Sequence, residues 1–339
     1  MNWWWKILGA ALIFYSLIAG MLVPLGPGII HVQPARIIAG QSVDINVTGY
    51  NSNYQSGEVQ AWLKYDDNHA LIPGVINVVD NRHLVLTFDI PEERPGPEDV
   101  NALNLVLYNP HDGYSVLPSA LFMTGGEQGN VREWDHEVEV GKGTSNFHFP
   151  FRNILGETIR NTYYHVPLWM AMMVIFTISM WFSILFLRRR RLEDDQKANA
   201  FASTGLLLGI LGITTGMVWA KNTWGAYWSF DVKQNMAAIA LLIYAAYFIL
   251  RSAIDDRDVA ARFAGVYNIF AFLLLIPLLY IIPRMTASLH PGSGGNPAFA
   301  GDDLDSTMRM VFYPAVLGWI LLGCWISQLQ ARIMRLRQS

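Results

Sequence analysis

Six apolar runs, each about twenty residues long, constrain the fold of this chain more strongly than any other feature of its sequence. A helix of that length can cross a bilayer, and backbone groups in lipid must be hydrogen-bonded within the segment. The predicted transmembrane helices are residues 5–25, 164–187, 201–219, 235–250, 263–282 and 308–329. A hydrophobic fraction of 52% and a charged fraction of 15% agree with a multi-pass membrane protein.

Arginine and lysine in the connecting segments predict the orientation of these helices. They concentrate in the two links 188–200 and 251–262 and in the basic tail 331–339. Because cytoplasmic loops are rich in arginine and lysine, these segments are predicted to be cytoplasmic, as are both termini. The first helix, within residues 1–25, is interpreted as an uncleaved anchor rather than a signal peptide, since cleavage would leave only five spans.

Residues 32–125 have a different pattern from the rest of the chain. Short alternating runs at 42–48, 59–65, 84–90 and 103–108 are separated by glycine, proline, asparagine and aspartate. This pattern predicts an antiparallel β sandwich of the immunoglobulin type on the outer side. Residues 126–153 are interpreted as a linker to a five-helix membrane domain at 154–330.

Several functions are excluded by composition. Cys324 is the only cysteine, so the chain has no internal disulfide, no CxxC redox motif and no CxxCH site for covalent haem attachment. The net charge of −3 gives no basic footprint for nucleic acid. The sequence also has no P-loop, so it cannot itself supply ATPase activity.

The stretch 219–231, WAKNTWGAYWSFD, is the densest aromatic segment of the predicted outer face. Interfacial aromatic residues ordinarily anchor a helix end, and that explains one or two rings. This stretch holds Trp219, Trp224, Tyr227, Trp228 and Phe230. A dense aromatic surface at headgroup depth suits a large planar ligand such as haem.

Two histidines are predicted to lie on the same face as the aromatic stretch. His165 stands at the outer start of the second helix, and His290 stands in the outer loop before the sixth. Pro167 is predicted to lie in the first turn of the second helix, with His165 at the mouth of that helix. Two imidazoles can fill both axial positions of a haem iron. A single histidine at such a place is more often an interfacial residue, and the shared placement of two favours ligation.

Charged residues complete the predicted site. Asp231 is predicted to cap the fourth helix. Cations on the outer face either mark helix ends, with their charges in the headgroups, or pair with haem propionates. Arg160 and Lys221 are the preferred candidates for propionate contacts, and Arg284 and Arg309 are the alternatives.

These residues resemble the WWD motif of the cytochrome c assembly family, and within it the haem-handling proteins of the cytochrome c maturation protein C type. The motif is represented by Trp224, Gly225, Tyr227, Trp228 and Asp231. The family pattern of a histidine before Val-Pro, and of a second histidine after leucine, is matched at His165 and His290. By this resemblance the two histidines are the axial ligands of haem b, held transiently and without covalent bonds.

Three departures from the family pattern are visible. Phe230 stands where the motif has a tryptophan, and Met285 and Thr286 stand where a tryptophan pair precedes the second histidine. The β domain after the first helix is not part of the usual protein.

The resemblance implies a function in the system I pathway of cytochrome c biogenesis. The chain is expected to bind haem at the outer face of a bacterial inner membrane and deliver it to a periplasmic haem chaperone. Subunits of an ATP-binding-cassette transporter are the expected partners, and no enzymatic activity is expected.

Three alternatives remain open from the sequence. The first is a haem lyase of the system II type, although such proteins have more spans and more histidines. The second is an electron-transfer cytochrome, although its histidines would lie within helices near the middle of the bilayer. The third is a scaffold or sensor without haem, whose β domain binds a ligand while the helices anchor it.

Overall fold

The computed structural model describes residues 3–96, 100–129, 132–134, 136, 138, 147–290 and 304–337. The chain forms two compact units. One is helical and consists of Met1–Leu22 with Thr158–Ser339, and the other is the β unit Val23–Glu157.

Seven α-helices make up the described part of the helical unit. They are α1 Trp4–Leu22, α2 Thr162–Arg189, α3 Leu192–Trp224, α4 Val232–Ser252, α5 Arg257–Ile276, α6 Ile282–Met285 and α7 Ser306–Leu336. A π-helical turn, Pro277–Ile281, joins α5 to α6, so that 257–285 forms one span. The described residues contain six helical spans long and apolar enough to cross a membrane, which confirms the predicted membrane fold.

Aspartate side chains mark where three of these helices begin. Asp231 accepts a hydrogen bond from the backbone N–H of Lys233, Asp256 from that of Val259, and Asp305 from that of Met308. Each carboxylate satisfies a backbone donor that has no partner within its helix. The predicted capping role of Asp231 is therefore confirmed.

The third helix is longer at both ends than the predicted span 201–219. It begins at Leu192 and ends at Trp224, because polar residues outside the lipid core continue the helix in both directions. The predicted aromatic loop 219–231 is therefore wrong in its first half, and the loop begins at Gly225. The second helix begins at Thr162, so the placement of Pro167 in its first turn is also wrong. His165 consequently lies inside the first turn of α2.

Small residues on α3 allow close packing in the helical core. A Cβ atom at Gly205 would lie 2.5 Å from the ring of Phe176 on α2, closer than side chains pack. Phe176 in turn stacks on Tyr244 of α4, with ring centroids 3.6 Å apart. Such approach between helices is the usual device of membrane bundles, where packing rather than water exclusion holds helices together.

The described residues of the β unit form eleven strands. They are β1 Gly28–Gln33, β2 Arg36–Ile38, β3 Ser42–Tyr50, β4 Gln60–Lys64, β5 Ala70–Leu71, β6 Val75–Val78, β7 His83–Asp89, β8 Glu93–Arg94, β9 Val100–Asn109, β10 Gly113–Thr124 and β11 Glu127–Gln128. One sheet has the order β1-β3-β7-β6 and a second the order β2-β10-β9-β4-β5, while β8 and β11 form a separate pair.

Buried residues from both large sheets share one core. Ile45 and Leu86 of the first sheet are fully buried together with Leu63 and Leu105 of the second. Alternate residues along β7 point inward, as in a sheet with one face packed and one face solvated. The predicted all-β domain after the first helix is thereby confirmed as a two-sheet sandwich, with strands from residue 28 to residue 128.

Candidate functional site

The carboxylate of Asp231 joins the start of α4 to the segment that follows α6. Its Oδ1 lies 2.9 Å from Nδ1 of His290. Its Oδ2 accepts hydrogen bonds from the backbone N–H of Leu289 at 2.8 Å and from the hydroxyl of Ser288 at 2.9 Å. These three bonds hold the segment 288–290 at the start of α4, which the same carboxylate caps at Lys233.

The pKa values of this pair follow from the same contacts. Burial opposes ionisation of Asp231, but the hydrogen bonds from Leu289, Lys233 and Ser288, with the charge of His290, hold its pKa below the usual range. Burial also lowers the pKa of His290, although the carboxylate acts in the opposite direction. His290 is therefore neutral near pH 7. Its Nδ1–H donates to Asp231, which leaves the lone pair on Nε2.

His165 is held in the same tautomer by a different acceptor. Its Nδ1 lies 2.9 Å from the carbonyl oxygen of Gly212 on α3, and 3.2 Å from the hydroxyl oxygen of Thr215. Because a carbonyl oxygen can only accept, Nδ1 carries the proton in this hydrogen bond. The lone pair of this ring is therefore also on Nε2.

The end of α3 contacts both histidines. The ring of Trp219 meets that of His165 edge-on, with centroids 5.8 Å apart, and its indole N–H donates to Thr158 at 3.1 Å. The ring of Trp224 meets that of His290 at 4.7 Å between centroids. Two tryptophans on the last turns of one helix thus bring the two imidazoles to the same end of the helical unit.

The loop 225–231 is held by the first turn of α4. The side-chain oxygen of Gln234 accepts the backbone N–H of Ser229 at 2.9 Å, and the amide of Asn235 donates to the carbonyl of Phe230 at 2.8 Å. With its backbone held, the loop leaves Tyr227 56% exposed and Phe230 79% exposed, while Trp228 is half-buried. The result is a fixed aromatic surface next to Asp231.

The predicted cations are not all brought to this loop. Lys221 donates to the carbonyl of Gly225 at 2.8 Å and lies 5.8 Å from the centroid of Tyr227. Arg160 instead donates to the carbonyl of Gly20 at the end of α1, at 2.9 Å. Arg284 lies in α6 and Arg309 in the first turn of α7.

Sequence reasoning missed three residues of this arrangement, namely Lys233, Gln234 and Ser288. Lys233 interacts electrostatically with both Asp231 and His290. One signal was available for the first two, because polar residues directly after an N-cap at the outer end of a transmembrane helix are costly to bury unless they have partners. Nothing in the sequence indicated the contact of Ser288 with Asp231.

Comparisons with known proteins show which family the chain is similar to. Residues 138–339, more than half of the chain, match the family profile described as heme exporter protein C. The heme exporter protein C of Paracoccus denitrificans is 26% identical over 167 residues, covering 49% of this chain and 69% of that protein. The protein of Escherichia coli K12 is 25% identical over 177 residues, covering 52% and 70%.

A further relative, from Bradyrhizobium diazoefficiens, is 33% identical over 168 residues, which is 49% of this chain and 63% of that protein. The region matched by the family profile contains both histidines and the loop 225–231. The β sandwich lies before that region.

Proposed function

The chain belongs to the heme exporter protein C family, and from this premise we propose that it binds haem between His165 and His290 and passes it to a periplasmic haem chaperone during cytochrome c biogenesis. Haem is the cargo of such a protein rather than a resident cofactor.

One observation supports this function more than any other: each histidine has a hydrogen-bond acceptor 2.9 Å from its Nδ1. Each imidazole donates its Nδ1–H to a fixed acceptor, so each directs its lone pair through Nε2. In metal sites, a hydrogen bond from the ring nitrogen that does not bind the metal orients the histidine and strengthens it as a ligand. Two such ligands suit an iron whose other four positions are filled by a porphyrin.

The aromatic residues supply a surface for the porphyrin ring. Trp219 and Trp224 border the two imidazoles, and Tyr227 and Phe230 extend the apolar surface outward. Stacking on aromatic rings adds to the free energy of burying a flat apolar ligand. The exposed rings leave one side of this surface open to an acceptor protein.

Cations near the loop suit the two propionates of haem. Lys221 lies at the beginning of the loop and Lys233 beside the His290–Asp231 pair. Lys221 therefore stays a first choice for propionate contacts, and Lys233 takes the place of Arg160, whose guanidinium donates to the end of α1 rather than lying beside the loop. Asp231 orients His290 and does not itself contact haem in this proposal.

Delivery rather than retention follows from the chemistry of the chain. With Cys324 as its only cysteine, the chain forms no thioether bond to haem by a CxxCH motif. Ligation by imidazole alone is exchangeable, which suits transfer to a second protein. ATP-binding-cassette subunits are the expected partners, and the membrane is a bacterial inner membrane with the histidines on its periplasmic side.

Absorption spectra of the protein purified in mild detergent test this function. We expect a Soret band in the wild type that is lost or shifted in His165→Ala and in His290→Ala. His31→Ala, which changes an exposed histidine of β1, is the matched control and should leave the band unchanged. Unchanged spectra in both ligand variants would contradict the proposed ligation.

A second measurement tests delivery. The haem-loaded protein is mixed with purified apo chaperone, and the two are separated. Appearance of the Soret band in the chaperone fraction supports transfer, and retention of all haem by the membrane protein contradicts it.

A further inference from the structure

A groove runs between α1 and α7 on the surface of the helical unit, away from the two histidines. Its volume is about 420 Å³, and its lining includes Trp3, Lys6, Phe14 and Trp325. Ala10 and Ala11 contribute short side chains to its lining. From Lys6 to Phe14 the groove follows α1 for roughly 12 Å, at the rise of an α-helix. Apart from Lys6, its walls are apolar.

Lys6 lies inside a cage of tryptophan rings at one end of this groove. Its ammonium nitrogen is 4.5 Å from the centroid of Trp3, 5.6 Å from that of Trp5 and 5.5 Å from that of Trp325. Such contacts stabilise a cation electrostatically. They supply no counter-charge, and within the described residues no carboxylate forms an ion pair with Lys6.

The enclosure of Lys6 distinguishes it from an ordinary interfacial lysine. A lysine near a helix end normally extends its ammonium group to the headgroups and water. Lys6 is only 4% exposed, although it belongs to a helix whose surface is mostly open. A charge held in this way is stabilised when an anion enters the cage, since a buried unpaired charge is costly.

We propose that this groove binds one anionic phospholipid, with the phosphate at Lys6 and an acyl chain along Ala10, Ala11 and Phe14. The length and apolar walls of the groove suit a hydrocarbon chain. The unpaired ammonium selects a headgroup with net negative charge, because a zwitterionic headgroup would bring a second cation to the cage. An apolar helix of another subunit would cover Lys6 without supplying an anion.

Native mass spectrometry of the detergent-purified full chain tests this site. The protein is titrated with phosphatidylglycerol or with phosphatidylethanolamine of the same acyl chains. We expect the wild type to bind phosphatidylglycerol roughly fivefold more tightly, the selectivity that one lysine near a phosphate supplies. Lys6→Gln should abolish this preference.

Lys197→Gln is the matched control. Lys197 also lies against an aromatic ring, 5.2 Å from the centroid of Phe182, but it is not part of the groove. Its replacement should leave the preference intact. Ala10→Phe keeps the ammonium group of Lys6 and places a large side chain in the groove. It should reduce binding of phosphatidylglycerol at least as strongly as Lys6→Gln. Thermal unfolding of each variant identifies any that fails to fold.

Three outcomes would overturn the proposal. The first is equal binding of the two lipids by the wild type. The second is an unchanged preference in Lys6→Gln together with unchanged binding in Ala10→Phe. The third is a stoichiometric cross-link in cells from a photoreactive residue at position 10 to another membrane protein, which would show that a helix rather than a lipid occupies the groove.

Discussion

Asp231 and His290, 59 positions apart in the chain, are joined by a hydrogen bond of 2.9 Å between Oδ1 and Nδ1. The carboxylate is 3% exposed and the imidazole 24% exposed, so the bond is sheltered from solvent. A neutral imidazole whose N–H donates a hydrogen bond to a buried carboxylate is held in one orientation. Its other nitrogen becomes a stronger electron-pair donor to a metal.

We expect Asp231→Asn to weaken haem binding by roughly 10- to 100-fold, the usual effect of removing a hydrogen-bond partner behind a metal ligand. The measurement is haem titration of the purified protein, followed at the Soret band. Ser288→Ala removes a hydroxyl that donates to the same carboxylate and accepts the backbone N–H of His290, but it leaves the bond between Asp231 and the imidazole, so its effect should be smaller. Equal affinities for Asp231→Asn and wild type would show that the carboxylate only caps α4.

Gly216 of α3 faces the ring of His165. A Cβ atom at this position would lie 2.6 Å from Cε1 of His165, too close for the ring to keep its place. We therefore expect Gly216→Ala to shift the Soret band and to reduce haem occupancy while the helices remain folded. Thr214→Ala changes a neighbouring exposed side chain whose hydroxyl bonds only to its own helix, and it serves as the control. A wild-type spectrum in Gly216→Ala would place haem away from His165.

Gly225 ends α3 with a φ of +84°. No atom lies within 4 Å of a Cβ built at this position, so the cost of a side chain there is conformational alone. We expect Gly225→Ala to lower the free energy of unfolding by about 1 kcal/mol, and Gly225→Asn by less, since asparagine tolerates the left-handed region. Thermal unfolding in detergent measures the order of stability of the wild type and the two variants. If alanine and asparagine are equally tolerated, the strain argument fails.

Tyr54 makes the stability of the β unit depend on alkaline pH. Burial raises the pKa of its hydroxyl from the usual 10.0 to about 12. A raised pKa in the folded state contributes stability that is complete below the unfolded pKa and is lost as the pH rises through the folded pKa. Between about pH 10 and pH 12 the loss approaches ~3 kcal/mol.

The Tyr54→Phe variant isolates this contribution. It has no hydroxyl to ionise, so its unfolding free energy should fall less steeply than that of the wild type across the same pH window. Chemical denaturation of the full chain at a series of alkaline pH values gives both slopes. Parallel slopes would mean that Tyr54 ionises in the folded protein as it does in the unfolded chain.

Labelling of single cysteines tests the predicted orientation. In a Cys324→Ser background, Gln55→Cys places an exposed thiol in the β unit and Asp255→Cys places one between α4 and α5. We expect a membrane-impermeant maleimide to label position 55 in intact spheroplasts, and position 255 only after permeabilisation. The opposite pattern would reverse the topology and place both histidines on the cytoplasmic side.

The membrane fold could be predicted from sequence because lipid imposes a length and a composition on each span. The ends of α3 could not, since Glu193, Asp194 and Asp195 at one end and Asn222 and Thr223 at the other are helical without being apolar. Hydropathy reports where lipid begins, whereas the helix continues until Gly225 turns the chain. The β sandwich could be predicted because apolar and polar residues alternate along its strands. They alternate because each sheet buries one face and exposes the other.

The candidate site could be predicted only in part, for a similar reason. His165, His290 and the tryptophans were recognisable as residue types suited to haem. The acceptors that orient the two imidazoles could not be identified. The carbonyl of Gly212 carries no sequence signal, and the sequence assigns Asp231 to the motif and to the cap of α4 without indicating its contact with His290. Asp231 both caps α4 and accepts a hydrogen bond from His290, and the second contact joins residues 59 positions apart.

The two histidines differ in the group that accepts the hydrogen bond from Nδ1. For His165 it is a neutral carbonyl, and for His290 it is a buried carboxylate. In the proposed haem complex, the histidine that donates to a carboxylate would give more electron density to iron, so the two axial bonds would be of unequal strength. We therefore expect cyanide to replace His165 before His290 in the haem-loaded protein. The cyanide-treated wild type should then have the same absorption spectrum as cyanide-treated His165→Ala, and a different one from cyanide-treated His290→Ala. An iron held by one weak and one strong axial bond would exchange the weak one first, so a ligand from the acceptor would approach the porphyrin from the side of α2.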